Sequence, residues 1–118
     1  RAALPEPVSS RPYNSGRKPR RCSMQTYIIL SRLSPDALKD PKIYREMADK
    51  VSNRIKQECP DVHWQKSFAV LGRFDVVDIV ESDNPKQVEK AAMIIRAFGN
   101  STTETLFATP WHEFLDML

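Results

Sequence analysis

Gly72-Arg73-Phe74-Asp75-Val76-Val77-Asp78-Ile79-Val80-Glu81 decides the fold of this 118-residue chain. A glycine opens a tight connection, and the β-branched run Val76, Val77, Ile79 and Val80 then favours an extended backbone. Side chains alternate along a strand, so Phe74, Val76, Asp78 and Val80 share one face. Upstream, residues 62–71 form a second strand-length run, and the Gly72-Arg73 turn joins the two as a hairpin. Downstream stands Asn84-Pro85-Lys86-Gln87, a helix N-cap with proline at the first helical position and a glutamine placed for a capping box. Val88, Ala91, Ala92, Ile95 and Phe98 follow at helical spacing, Gly99-Asn100 supplies a stop, and residues 102–109 alternate into a further strand.

Working outward to the N-terminal side, residues 25–33 are aromatic and β-branched and end at Ser34-Pro35, which predicts the first strand. A helix then begins at Asp40-Pro41 and ends before Pro60. Its stripe is Ile43 or Tyr44, Met47, Ala48, Val51, Ile55 and Cys59. At the far end, Thr109-Pro110-Trp111-His112-Glu113-Phe114 begins a short C-terminal helix. The order β-α-β-β-α-β, with right-handed crossovers, predicts a ferredoxin-like α+β fold: a four-stranded antiparallel sheet with two helices on one face. The first strand is apolar on both sides, so the face without helices should be covered by a second subunit, making a homodimer.

The chain has room for one domain, 24–118, preceded by a Pro/Ser-rich basic segment, 1–23. That segment carries Arg1, Arg11, Arg17, Lys18, Arg20 and Arg21 against Glu6, a net +5 in a chain of +3, which leaves −2 for the domain. It is expected to be a flexible tail or an added extension, with the Arg17-Lys18-Pro19-Arg20-Arg21 cluster solvated. The weak negative charge of the domain argues against nucleic acid as a partner. No run reaches the roughly 18 apolar residues of a membrane helix, and no apolar region follows the basic N-terminus as in a secretory signal. Cys22 and Cys59 lack metal-ligand spacing and point to free thiols in a cytoplasmic protein, with Cys59 a core residue.

Three segments resemble the GYD-domain family: Thr26-Tyr27-Ile28-Ile29-Leu30 its first strand, residues 72–81 its signature, and Gly99-Asn100-Ser101-Thr102-Thr103-Glu104-Thr105-Leu106 its last strand. The resemblance spans 24–118. Phe74 stands in place of the motif tyrosine, keeping the ring without the hydroxyl, and Asp78 stands where a small apolar residue is expected. The resemblance implies the dimeric α+β barrel, two sheets meeting through their helix-free faces. Relatives of that architecture include cofactor-free monooxygenases, lactone isomerases, haem-degrading enzymes and ligand-sensing domains, so the fold does not choose an activity.

Among chemically able residues, Asp75 is read as an acceptor for turn or strand amides, or else as a ligand contact. Asp78, on an apolar strand face, has to be hydrogen-bonded, hydrated or protonated. Beside a pocket it would suit proton transfer; otherwise it would pair with Arg32 or Arg73. His63 is a second proton-transfer candidate, a haem ligand, or a surface or edge histidine, and His112 a solvent-facing or capping one. Neither belongs to a metal-ligand pattern. Tyr27, Trp64, Trp111 and Phe114 would form a pocket wall or a subunit contact. No serine or cysteine sits in an activated context, and three glycines make no phosphate cradle. The leading expectation is a homodimeric module, needing no cofactor, that binds a small molecule between sheet and helices through Asp75, Asp78, Tyr27 and Trp64. The alternative is a cofactor-independent monooxygenase or isomerase of an aromatic or lactone-like substrate, using Asp78 or His63.

Overall fold

The computed structural model describes residues 24–118; the expectations for residues 1–23, Cys22 included, lie outside them. The elements are β1 (Gln25–Leu33), a single 3₁₀ turn (Pro35–Leu38), α1 (Pro41–Glu58), β2 (His63–Ala69), β3 (Val76–Ser82), α2 (Pro85–Phe98), β4 (Ser101–Ala108) and α3 (Trp111–Asp116). The strands form one antiparallel sheet in the order β2-β3-β1-β4. This is the β-α-β-β-α-β arrangement of a ferredoxin-like α+β fold.

α1 and α2 each start where an N-cap meets a proline, but the two caps differ. Asp40 accepts from the amides of Lys42 at 3.1 Å and Ile43 at 3.4 Å, satisfying donors the helix leaves free. Asn84 makes no such bond, and the expected capping box does not form. Gln87 instead accepts from the Asp61 amide at 2.8 Å, while Asn84 donates to the Asp61 carboxylate at 3.4 Å. The start of α2 is therefore tied to the loop before β2. At its other end the left-handed residue is Asn100, with φ 53°, rather than Gly99. Gly99 answers a different need: a Cβ there would lie 2.5 Å from the carbonyl oxygen of Ile95.

The hairpin connection is wider than a two-residue turn and spans residues 70–75. Asp75, just before β3, is bonded on both sides: its carbonyl accepts from the Val70 amide at 2.9 Å, and it is also held to β1. Its amide donates to the Ser31 carbonyl at 2.8 Å, and its Oδ2 accepts from the Leu33 amide at 2.9 Å.

The core lies between the sheet and both helices and is built from Ile29, Val51, Ile55, Cys59, Val62, Val80, Val88, Ala91, Ile94 and Ile95. Each aliphatic side chain fully buried there contributes about 1.5–3 kcal/mol. α1 is also tied to α2 by charge: Glu58 pairs with Arg54 at 2.8 Å and Lys90 at 3.4 Å, and the Arg54 guanidinium lies 4.2 Å from the Phe98 ring centre. The opposite sheet face carries Ile28 and Leu30 of β1 with Val77 and Ile79 of β3, all half-buried, flanked by Phe68, 48% exposed, and Leu106, 43% exposed. No described element covers it. α3 is exposed along its length, with Trp111 stacked on Phe114.

Candidate functional site

A cavity of about 730 Å³ opens between α1 and the helix-facing side of the sheet. Its walls are mainly apolar, with Val51 and Ile55 from α1, Ile95 from α2 and Val62 from the loop before β2. The sheet contributes polar groups on that background: Ser31 from β1, Ser67 and Trp64 from β2, and Asp78 from β3.

These groups meet because of a strand irregularity. β2 and β3 are in register from His63 to Trp64 and again from Lys66 to Ala69, with a shift between. In a regular strand Trp64 and Ser67, three residues apart, would point to opposite faces. The extra residue, Gln65, brings both onto the helix side. There the Trp64 indole N–H donates to Oδ1 of Asp78 at 3.1 Å and to the Ser67 hydroxyl at 3.1 Å, and Ser67 donates to the same Oδ1 at 2.5 Å. The short Ser67 bond to the carboxylate is of the stronger, charge-assisted kind.

Asp78 is 7% exposed. Among the described residues no donor reaches its Oδ2 and no basic side chain pairs with it. The pairing with Arg32 or Arg73 entertained from sequence does not form, because Arg32 alternates to the opposite face and donates to the Arg73 carbonyl at 3.3 Å. Ser31, 3% exposed, has a hydroxyl with no hydrogen-bond partner. Tyr44 of α1 also lines the cavity. Burial raises its phenol above the ordinary value, and the charges of Asp75 and Asp78 add to the shift, so its hydroxyl is a donor at neutral pH.

The structure thus brings together two residues singled out from sequence, Asp78 and Trp64; His63 borders the cavity but is exposed, and it lies opposite Glu81, on the alternate side of the sheet from Val80 and Asp78. Two others fall outside the cavity. Asp75 bonds the β1 backbone. Tyr27 packs edge-on against Phe107, at 5.8 Å between ring centres, and borders a separate groove beside α2 with Val88 and Met93. His112, Trp111 and Phe114 sit on the exposed α3. Ser31, Ser67 and Tyr44 were not anticipated. Ser31 was legible as the polar member of the inward series Tyr27, Ile29, Ser31, Leu33. Ser67 was not, since its facing depends on the irregularity at Gln65. Among the described residues no group of three or more His, Cys, Asp or Glu side chains is placed to hold a metal ion, and no helix is long and apolar enough to cross a membrane.

Sheet order, helix placement and the cavity define a small α+β protein of ferredoxin-like architecture. The chain belongs to the GYD family, whose domain model matches residues 27–118. A protein of Thermus thermophilus named glutamine synthetase and cystathionine beta-lyase binding protein is 30% identical over 87 residues, covering 74% of this chain and 90% of that one. Among solved structures, the leucine response regulatory protein LrpA of Mycobacterium tuberculosis aligns with a TM-score of 0.51 at 13% identity, over 73% of this chain. FFRP-DM1 aligns at 0.49 and 23% identity, over 72% of this chain and 99% of its own. This chain spans about half, 51%, of LrpA, and at that identity the likeness concerns the fold alone.

Proposed function

We propose that this chain is a small-molecule-binding module that works as a homodimer through its helix-free sheet face. The observation that carries the ligand reading is the pairing, within one cavity, of a buried carboxylate having an open oxygen with a buried hydroxyl lacking a partner. Buried polar groups are nearly always hydrogen-bonded, and unmatched ones are costly unless something completes them. The dimer reading is supported by the apolar row Ile28, Leu30, Val77 and Ile79, which stays half-exposed in one chain. A cytoplasmic setting belongs to the same reading, in keeping with Cys59 as a buried free thiol.

Native mass spectrometry of freshly purified protein tests both parts. The expected result is a dimer carrying a small-molecule mass that is lost on unfolding. A monomer, or a dimer with no retained mass that takes up none from a metabolite extract, overturns the corresponding part.

The name of the Thermus relative favours a second reading, in which this chain docks on a metabolic enzyme. Titrating purified glutamine synthetase and cystathionine beta-lyase with the chain in a calorimeter tests it; heat of binding with either supports the reading, and none with either removes it. The cofactor-free oxygenase or isomerase alternative draws on Asp78 as its buried acid–base group, with His63 as the exposed one.

A further inference from the structure

We infer that the ligand of the cavity carries a protonated amine on an apolar body, with the ammonium seated between Oδ2 of Asp78 and the hydroxyl of Ser31. The inference rests on reading the cavity as a small-molecule site and assigns the chemistry of its occupant.

The strand register places the two groups. Ile29 lies opposite Asp78 and Ser31 opposite Val76, so Ser31 and Asp78 are diagonal neighbours on the helix-facing side, about 7–8 Å apart at the backbone. Side chains reaching into the same space from such positions fall within range of donors on one small group. Oδ1 is taken by Trp64 and Ser67, and Asp78 lines the cavity with no donor at its Oδ2 among the described residues. An ammonium offers three donors and no acceptor, enough for Oδ2 and Ser31 together.

Charge separates an amine from an alcohol. A carboxylate removed from water needs a counter-charge as well as hydrogen bonds, and among the described residues no basic side chain pairs with Asp78. Lys56 and His63, the basic groups in the cavity lining, are both exposed. Asp75 and Asp78 together act on the Tyr44 phenol, so that end of the cavity has a negative field, which repels a ligand carboxylate and attracts a cation. Val51, Ile55, Val62 and Ile95 leave the remaining wall to an apolar body.

The test uses the whole chain and three probes of one shape: benzylamine, benzyl alcohol and benzoate. Binding is followed by the indole N–H resonances, with exposed Trp111 as the internal control for Trp64. Benzylamine is expected to shift the Trp64 signal and to bind about tenfold or more tightly than benzyl alcohol, as for a charged hydrogen bond. Benzoate should be the weakest. Asp78→Asn should erase the amine preference, and Ser31→Ala should weaken benzylamine several-fold. Equal binding of amine and alcohol, a preference for benzoate, or an amine preference retained in Asp78→Asn overturns the amine assignment while leaving a ligand cavity standing. If none of the three moves the Trp64 signal, the cavity reading falls with it. Should Asp78→Asn fail to fold, the ranking of the three probes on the unaltered chain decides the matter.

Discussion

The indole nitrogen of Trp64 lies 3.1 Å from Oδ1 of Asp78, across two strands whose register shifts between Trp64 and Lys66. The contact depends on the irregularity: were Gln65 taken into the ladder of a regular strand, Ser67 would face away, and Asp78 would lose one of its two donors. In a double-mutant cycle of Trp64→Phe and Asp78→Asn, followed by urea unfolding, the pair should show a coupling of about 1–3 kcal/mol. Deleting Gln65 should do less damage than either, because Trp64 and Ser67 then stand two residues apart and keep the same face in a regular strand.

The two helix starts should respond unequally to truncation. Asp40→Ala removes the acceptor for two amides and should cost about 1 kcal/mol in denaturant unfolding. Asn84→Ala removes a side chain that makes no cap bond and should cost less, through its contact with Asp61. Equal losses would contradict the difference in capping.

At the end of α2, Gly99→Ala pushes a methyl group onto the Ile95 carbonyl and should lower the melting temperature. Asn100→Gly, at φ 53°, removes a left-handed strain worth about 1 kcal/mol and should leave stability equal or higher. A glycine stop read from sequence anticipates the first loss, through a left-handed backbone at 99, but not the tolerance at 100.

Alkaline pH should weaken the fold. Burial raises the Cys59 thiol above its ordinary 9.0, with Lys90 opposing and Glu58 adding to the shift, and the Tyr44 phenol rises from 10.0. A group whose folded pKa is the higher one stabilises fully below its unfolded value. That contribution disappears as pH climbs from there through the folded pKa, because the unfolded chain releases its proton first. Urea midpoints should therefore fall as pH rises from about 9 toward about 11, over and above any general alkaline loss. The decline should be shallower in the Cys59→Ala, Tyr44→Phe double variant.

The open sheet face gives a prediction about assembly. Ile79 sits near the middle of β3 among Ile28, Leu30 and Val77. Ile79→Asp should convert a dimer into monomers by sedimentation, since a charge buried at the centre of an apolar interface is costly on both subunits. The fold of the single chain should persist by circular dichroism. The same change at exposed Met93 on α2 should leave the mass unaltered.

The architecture was legible because its signals are local: a β-branched run for β3, proline-marked starts for both helices, and a helical stripe that became Val88, Ala91, Ala92 and Ile95 in the core. Family membership followed from the order of those segments. The candidate site was legible only in part. Asp78 drew notice as a carboxylate on an apolar face, and the face is indeed buried. Its partners were not visible, because a period of two assigns Ser67 to the wrong side once one residue is inserted. Asp75 and Tyr27 look equally able by residue type, yet one bonds the β1 backbone and the other packs beside α2. Such choices depend on register between strands distant in sequence, which periodicity along one strand does not record.

The cavity beneath α1 also bears on how this helix is held. α1 is fastened to α2 through Arg54, Glu58, Lys90 and Phe98, while much of its inner side overlooks open space. Its amide protons should exchange with heavy water sooner than those of β1 and β3, and an occupant of the cavity should slow that exchange along α1 more than anywhere else. A shared core thus gives this small protein two grades of solidity: a firm sheet, and above it a helix whose firmness is borrowed from whatever lies beneath.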